Sequence, residues 1–312
     1  MPKPGCSKGK DVKILKKISS KVKRKLTAFD TVNDTVLILL ALLCIYPFLY
    51  VFFIACSDGS YLTKGEVDFF PKGFNVEAFK YVLSNPKFDI FTGMRNSFIY
   101  TIFGTLIAVL FTYFTAYALS RPRLKQRYVI MALFVITWVF EAGIIPQYII
   151  YSNLGFIDNI WVMIIPGAIN VQFLLITKAF LDGLPTELEE AAFIDGATDF
   201  QSLLRVFLPI SKPILATIAL FNAVSIWNQY LVPQMFLKSD NLKTIQQILK
   251  SVVITSSNSG TVFSNVMRNG YTLNQNNMKA AAIFIAMAPI VCVYPFVQKY
   301  FKKGILIGSV KG

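Results

Sequence analysis

Six stretches of mostly apolar residues, 34–55, 96–119, 128–150, 160–180, 214–237 and 278–300, dominate the sequence. Each is about the 20 residues a helix needs to cross roughly 30 Å of hydrocarbon. Blocks of this length leave little room for the apolar and polar alternation that builds a soluble core. With 54% hydrophobic and only 15% charged residues, the better solvent for the chain is a bilayer. In hydrocarbon every backbone N–H and C=O must be satisfied within the chain, and these stretches are too long for barrel strands. The expectation is therefore an all-α polytopic membrane protein with six transmembrane helices.

Basic residues fix the expected orientation, because cytoplasmic connections carry the excess of Lys and Arg. Residues 1–30 hold ten, 121–127 four, 178–212 three and the tail from 299 four, against ten on the other side, whose connections are longer. Both termini are expected in the cytoplasm. The net charge of +14 sits beside the spans, where topology and anionic lipid account for it, so no nucleic-acid partner is expected. There is no histidine, which removes the commonest metal ligand and the usual general base near neutral pH. The four cysteines, Cys6, Cys44, Cys56 and Cys292, show no CxxC spacing and read as small core residues rather than a zinc site or disulfide framework.

Between the spans the chain reads as connections rather than domains. Residues 1–30 form a basic cytoplasmic segment. Within it Leu15, Ile18, Val22, Leu26 and Phe29 fall three or four apart, the pattern of an amphipathic helix lying on anionic lipid or of a basic tail that only sets topology. Residues 31–312 form one transmembrane domain. Segment 57–95 is an ordered loop with turns, and 121–127 a short basic connection at which Pro122 stops the second helix. Gly143 and Pro146 in the third span, and Pro166 and Gly167 in the fourth, predict bent helices packed against protein. Segment 238–278, with its Ser-rich middle and Asn-rich end, reads as a long flexible external loop.

One connection stands apart. Between spans four and five the chain carries Asp182, Glu187, Glu189, Glu190, Asp195 and Asp199, against the basic bias of its side of the membrane. Thr186 with Glu189, and Thr198 with Gln201, have the spacing of capping boxes, and Gly196 can take the positive φ that ends the first of two short helices. Small residues at Ala191, Ala192, Gly196 and Ala197 allow another backbone to approach closely, with Leu188, Leu203, Leu204 and Phe207 as apolar anchors for a protein partner. No GxxxxGK[ST] occurs, so the chain has no Walker-type ATP site of its own.

Glu190-Ala191-Ala192, then Gly196, then Val206, Leu208 and Pro209 at fixed spacing resemble the EAA signature of permease subunits in binding-protein-dependent ABC importers. Val206 stands where that signature has Ile, and the other six fixed positions agree. Gly143-Ile-Ile-Pro146, Leu184-Pro185, the run from Ser211 to Phe221 and Trp227-Asn228 are similar to the carbohydrate-uptake group, the Gram-positive oligosaccharide and polysaccharide permeases related to the smaller maltose permease. Glu141 departs from that pattern, where a small residue is usual.

The resemblance implies a type I importer transmembrane domain in a bacterial plasma membrane, non-catalytic, holding no cofactor itself. Its partners would be a second homologous permease, two ATP-binding subunits that carry ATP and Mg, membrane lipid, and an extracellular solute-binding protein that delivers an oligosaccharide. It assigns Glu190, Ala191, Ala192, Gly196, Leu208 and Pro209 to ATPase coupling, and Val310, Lys311 and Gly312 to a tail that reaches the ATPase dimer interface.

Polar groups inside spans are costly, so each is a candidate for the cargo pathway. Trp138, Glu141, Asn170, Gln172, Asn222, Trp227, Asn228 and Tyr230 form that set, since sugars are bound by amides, carboxylates and flat aromatic faces. For Asn170, Gln172 and Asn222 the same residues serve equally as hydrogen-bonding glue between helices. Two other classes remain at this stage: an ATP-independent secondary carrier, which lacks a titratable relay, and a membrane-embedded glycan or lipid enzyme, which lacks an assembled acid, base and nucleophile.

Overall fold

A computed structural model describes residues 28–86, 88–258, 266–268 and 270–308. The predicted basic helix over 12–29, but for its last two residues, and the tail Val310, Lys311 and Gly312 lie outside the described residues. In chain order the helices begin α1 (Ala28–Ala55), α2 (Gly59–Thr63), α3 (Glu77–Ser84), α4 (Ile90–Ser120), α5 (Arg127–Val139) and α6 (Ile144–Asn153). They continue α7 (Val171–Asp182), α8 (Glu187–Ile194), α9 (Asp199–Ser202), α10 (Leu208–Ile210), α11 (Lys212–Asn228) and α12 (Leu231–Phe236). Last come α13 (Ile245–Asn258), a hairpin of β1 (Val266–Arg268) and β2 (Tyr271–Leu273), and α14 (Gln275–Gly308).

The chain forms two compact units, one ending at Tyr50 and one starting at Val51. The described part of the first is a single apolar helix, the greater part of α1. The second is organised on α4, whose 31 residues extend about 46 Å at 1.5 Å per residue. Along one face of α4 a small residue recurs at every fourth position from Gly104 through Ala108, Thr112 and Ala116 to Ser120, and all of these are buried. Lipid offers no hydrophobic drive for helix pairing, so close backbone approach and dispersion supply it. A Cβ on Gly104 would stand 2.8 Å from Ile226 Cδ1 of α11, and one on Gly93 would stand 2.3 Å from Ile248 Cδ1 of α13. Helices α7 and α11 pack along this face.

By length and composition, three helices can cross a bilayer among the described residues, or five if each bent pair is one crossing. The first, second and sixth expected spans are the continuous helices α1, α4 and α14. The third is broken into α5 and α6, bent by 115° at a break where Gly143 has φ +80°. The expected fourth span does not form one helix: a 3-10 turn at Ile160–Met163 and a turn through Pro166 precede α7, which has only 12 residues. Pro166 lacks an amide hydrogen, and Asn170 caps a fresh helix by accepting from Phe173 N at 3.2 Å. The fifth ends at Asn228 rather than at 237, and α12 is a separate short helix.

Among the described residues of segment 238–278, expected as a flexible loop, regular structure is present. The segment contains α13, whose Ile245, Ile248 and Val252 lie at helical spacing and are buried with Ala78, Val82, Ile90 and Leu273. Its Asn274 and Asn277 are caps rather than linker. Asn277 Nδ2 donates to Ile54 O and Ser57 O at 2.8 and 2.6 Å, and Asn274 Nδ2 donates to Gly59 O at 3.3 Å. Cys56 is buried as expected, but Cys44 and Cys292 are exposed on span surfaces, where a weakly polar thiol is as much at home in lipid as in a core.

Candidate functional site

The Ser120 end of α4 carries the acidic connection. Helix α8 runs from Glu187 to Ile194, and Gly196 follows with φ +80°, a value that an L side chain adopts at a cost of about 1–2 kcal/mol. At α9 the expected capping box is present: Thr198 Oγ1 accepts from Gln201 N at 3.3 Å and Gln201 Oε1 accepts from Thr198 N at 3.0 Å. The box expected at Thr186 is absent, because the carboxylate of Glu189 is engaged elsewhere, accepting from Arg121 Nη1 at 2.7 Å.

After α9 the backbone widens into a π-turn over Leu203–Phe207, closed by Leu208 N donating to Leu203 O. Pro209, which has no amide hydrogen, follows at once in α10. A π-turn absorbs one extra residue without ending the helix. It lets Leu203 and Phe207 both point inward, at 4% and 0% exposure, against Tyr113, Tyr117 and Leu119 of α4. The sequence reading gave Leu203 and Phe207 to a partner, and the structure gives them to the chain's own core. Ala192 is also buried.

What remains outward are Glu187, Glu190, Ala191, Asp195 and Gly196, with Ile194 at 86% and Phe200 at 61% exposure. Both apolar side chains escaped the sequence reading. Spacing signals a buried face readily, whereas a lone Ile and a lone Phe on either side of a glycine look unremarkable until the structure shows both left exposed.

The pathway candidates fall into separate groups. Trp138 and Glu141 are exposed beside and within the break between α5 and α6. Asn170 and Gln172 are exposed at the start of α7, which meets α11 where the Phe173 and Phe221 rings stack with centroids 6.1 Å apart. Asn222 is buried and donates to Ile218 O in its own helix at 2.9 Å. Trp227 is buried too, its Nε1 donating to Ala286 O of α14 at 3.3 Å and its ring edge-on to Phe98.

Asn228 is exposed, and with Phe221, Val224 and Ser225 it completes a stripe at spacings of three and four along α11. Ser225 was not singled out from sequence, a serine in an apolar run being a routine packing residue. Just beyond, the Lys250 ammonium stands 3.9 Å from the centre of the Tyr230 ring, a cation held against an aromatic face.

At the Ile90 end of α4, Asp58 Oδ1 and Oδ2 accept from Thr272 Oγ1 and Thr272 N at 2.6 and 3.0 Å, while Oδ1 also accepts from Ser60 N. Burial, the largest single influence, pushes this carboxyl up. The hydrogen bonds from Ser60 and Thr272 outweigh it and hold Asp58 below its ordinary value. Asp158 likewise lies below the usual carboxylate range, through the Ser239 hydroxyl and then the Ser239 and Lys238 amides. Asn96 Nδ2 donates to Asn241 O and Lys243 O at 2.7 and 3.0 Å, and Gln247 Nε2 to Pro233 O and Leu237 O, each at 3.1 Å.

Residues 90–307 match the family described as "Binding-protein-dependent transport system inner membrane component". The chain is 39% identical over 289 residues to the protein LplC of Bacillus subtilis, covering 91% of this chain and 95% of the relative. It is 36% identical to the polygalacturonan/rhamnogalacturonan transport system permease protein YtcP of the same organism, covering 91% and 98%. It also superposes with TM-score 0.77 at 32% identity, covering 88% of this chain and 96% of the other, on a chain from the crystal structure of a bacterial ABC transporter involved in the import of the acidic polysaccharide alginate.

Proposed function

Because this chain belongs to the family of inner membrane components of binding-protein-dependent transport systems, we propose that segment 187–209 is its ATPase-coupling surface and that α11 lines its cargo pathway. The chain is a permease subunit of an ABC importer, a non-catalytic membrane protein that works with a partner permease, an ATPase that uses ATP, and a binding protein. An ATP-independent carrier or a membrane enzyme is not favoured within this family.

The observation that carries the coupling reading is the division of the loop into two faces. Leu203, Phe207 and Ala192 are buried within the chain, leaving Glu190, Ala191, Ile194 and Phe200 outward. Such a surface is incomplete in water and suits a cleft in a soluble subunit. Gly196, Leu208 and Pro209 set its shape. In this reading two ATP-binding subunits grip this chain and its homologous partner, and their closure on ATP switches the spans between outward and inward openings. Both termini face the cytoplasm, residues 1–30 are a basic segment ahead of a 31–312 permease domain, and Val310, Lys311 and Gly312 reach the ATPase dimer.

The cargo is an oligosaccharide bearing carboxylates. The similarity to a polygalacturonan/rhamnogalacturonan transport permease and to a chain of an alginate importer supports this. The Lys250 and Tyr230 pair beside Asn228 supplies an ammonium for a carboxylate and a flat face for a sugar ring. Trp227 and Asn222 back this stripe from behind, while Trp138, Glu141, Asn170 and Gln172 contribute from the breaks before α6 and α7. Gly196→Leu tests the coupling surface, because nothing crowds the site and only the positive φ is disturbed. The expected result is loss of ATPase co-purification or of uptake driven by ATP; wild-type values for both would retire the assignment.

A further inference from the structure

The turn after α4 holds a contact set that basic topology alone does not require. Arg121 directly follows the last residue of α4, and its guanidinium reaches three elements at once. Nη1 donates to Glu189 Oε2 of α8 at 2.7 Å, and Nε donates to Ser120 Oγ of α4 at 3.0 Å. Its Cζ lies 4.8 Å from the ring centre of Tyr117 on α4 and 4.5 Å from that of Phe207 in the π-turn. Both charged side chains are nearly enclosed, at 13% and 12% exposure.

We propose that Arg121 is the positioning residue through which movement of the coupling helix α8 is passed to α4. The alternatives for that link are weaker. Of the eight residues of α8 only Ala192 is buried, and a methyl group offers no directional grip. Arg123 also reaches the loop, over the Phe193 ring at 3.9 Å and to Asp199 at 3.0 Å, but its ion pair is 58% and 66% exposed and screened by water and salt. Leu203 and Phe207 meet α4 through apolar surfaces, which can slide.

The Arg121–Glu189 pair is directional and desolvated, so it has few ways to yield other than by moving α4 with α8. Glu190, the next residue, faces outward, so a push on one side of the helix meets the strut on the other. The small-residue face of α4 then carries the displacement to α7 and α11.

This inference rests on the coupling reading above. The test uses the full complex in proteoliposomes, with ligand-loaded binding protein, and reads uptake per ATP hydrolysed. Arg121→Ala is expected to keep ATPase bound and hydrolysing within about twofold of wild type while uptake per ATP falls about tenfold. Arg121→Lys, which keeps the charge but loses the planar stacking, is expected to fall about threefold. Exchange of the pair, Arg121→Glu with Glu189→Arg, is expected to recover at least about half of the coupling.

Arg123→Ala should change the ratio less than about twofold. An unchanged ratio in Arg121→Ala would overturn the proposal. So would a parallel fall of uptake, hydrolysis and assembled complex that the exchange does not rescue, which marks a folding anchor only. If Gly196→Leu uncouples while Arg121→Ala does not, the strut fails and the coupling surface stands; if neither has an effect, both fail.

Discussion

The two ends of α4 are finished differently. At the Ile90 end, side-chain amides and one carboxylate satisfy backbone groups far away in sequence: Asn96 closes on Asn241 and Lys243, Asn277 on Ile54 and Ser57, and Asp58 on Thr272. At the Ser120 end, the connection is tied back by a buried apolar patch, Arg121 and an exposed ion pair, and it leaves Ile194 and Phe200 outward. One end has its polar groups met within the chain, while the other leaves two large apolar side chains uncovered, the surface proposed above for a second protein. An importer needs both: a fixed end against which spans can tilt, and an end that another subunit can move.

The sharpest break of this comparison is Asn277→Ala, which strips Ser57 O of its Asn277 donor and leaves Ile54 O with Ser57 N alone, at a residue with no exposure of its own. The expected loss is about 2 kcal/mol or slightly more, since a buried group left unsatisfied costs about 1–3 kcal/mol, read as a lower unfolding midpoint in detergent. A variant as stable as wild type would show that this end is not fixed by its amides. Next, Ile194→Ala with Phe200→Ala is expected to weaken ATPase docking by about 2 kcal/mol. The chain's own unfolding midpoint should hold within about 0.5 kcal/mol. If that stability falls instead, the two side chains belong to this chain's fold and not to a partner.

The smallest effect is one of pH. A carboxyl held below its ordinary value stabilises the fold above the unfolded value of about 3.9, and that contribution is lost as pH falls through the lower folded value. Protease resistance of segment 57–95 is therefore expected to stay level from neutral pH to about pH 5 and to decline only below about pH 4. Asp58→Asn should flatten that decline. An onset near pH 6 would mean that another group controls this end.

What was legible in the sequence follows the same division. Continuous spans α1, α4 and α14 could be read from apolar length, and the glycine turn and the Thr198 box from local chemistry, because these depend on neighbours within four residues. The broken fourth span was not, since hydropathy cannot tell a straight helix from a 3-10 turn followed by a fresh cap at Asn170. Helix α13 was hidden by its Ser and Asn neighbours, although Ile245, Ile248 and Val252 carried the helical spacing. The four-residue rhythm of Gly104, Ala108, Thr112 and Ala116 was also in plain view, and its meaning needed only the knowledge that lipid rewards closeness rather than greasiness. Arg121 could not have been found: its partners lie 68 residues away in Glu189 and in the π-turn, and nothing local distinguishes it from Arg123.

The Asp58–Thr272 contact spans 214 residues. During synthesis the segment after α1 leaves the ribosome long before its partner does, and at the roughly 5–20 residues per second of translation that interval is on the order of ten to forty seconds. Until then Asp58 has only its local partner Ser60, Ile54 O only Ser57 N, and neither has its Thr272 or Asn277 donor, so this end of the molecule cannot be completed until nearly the whole polypeptide has emerged. A chain cut short before Thr272 would therefore lack the partners that tie its early loop to its late one, and this contact reports whether synthesis has passed that point.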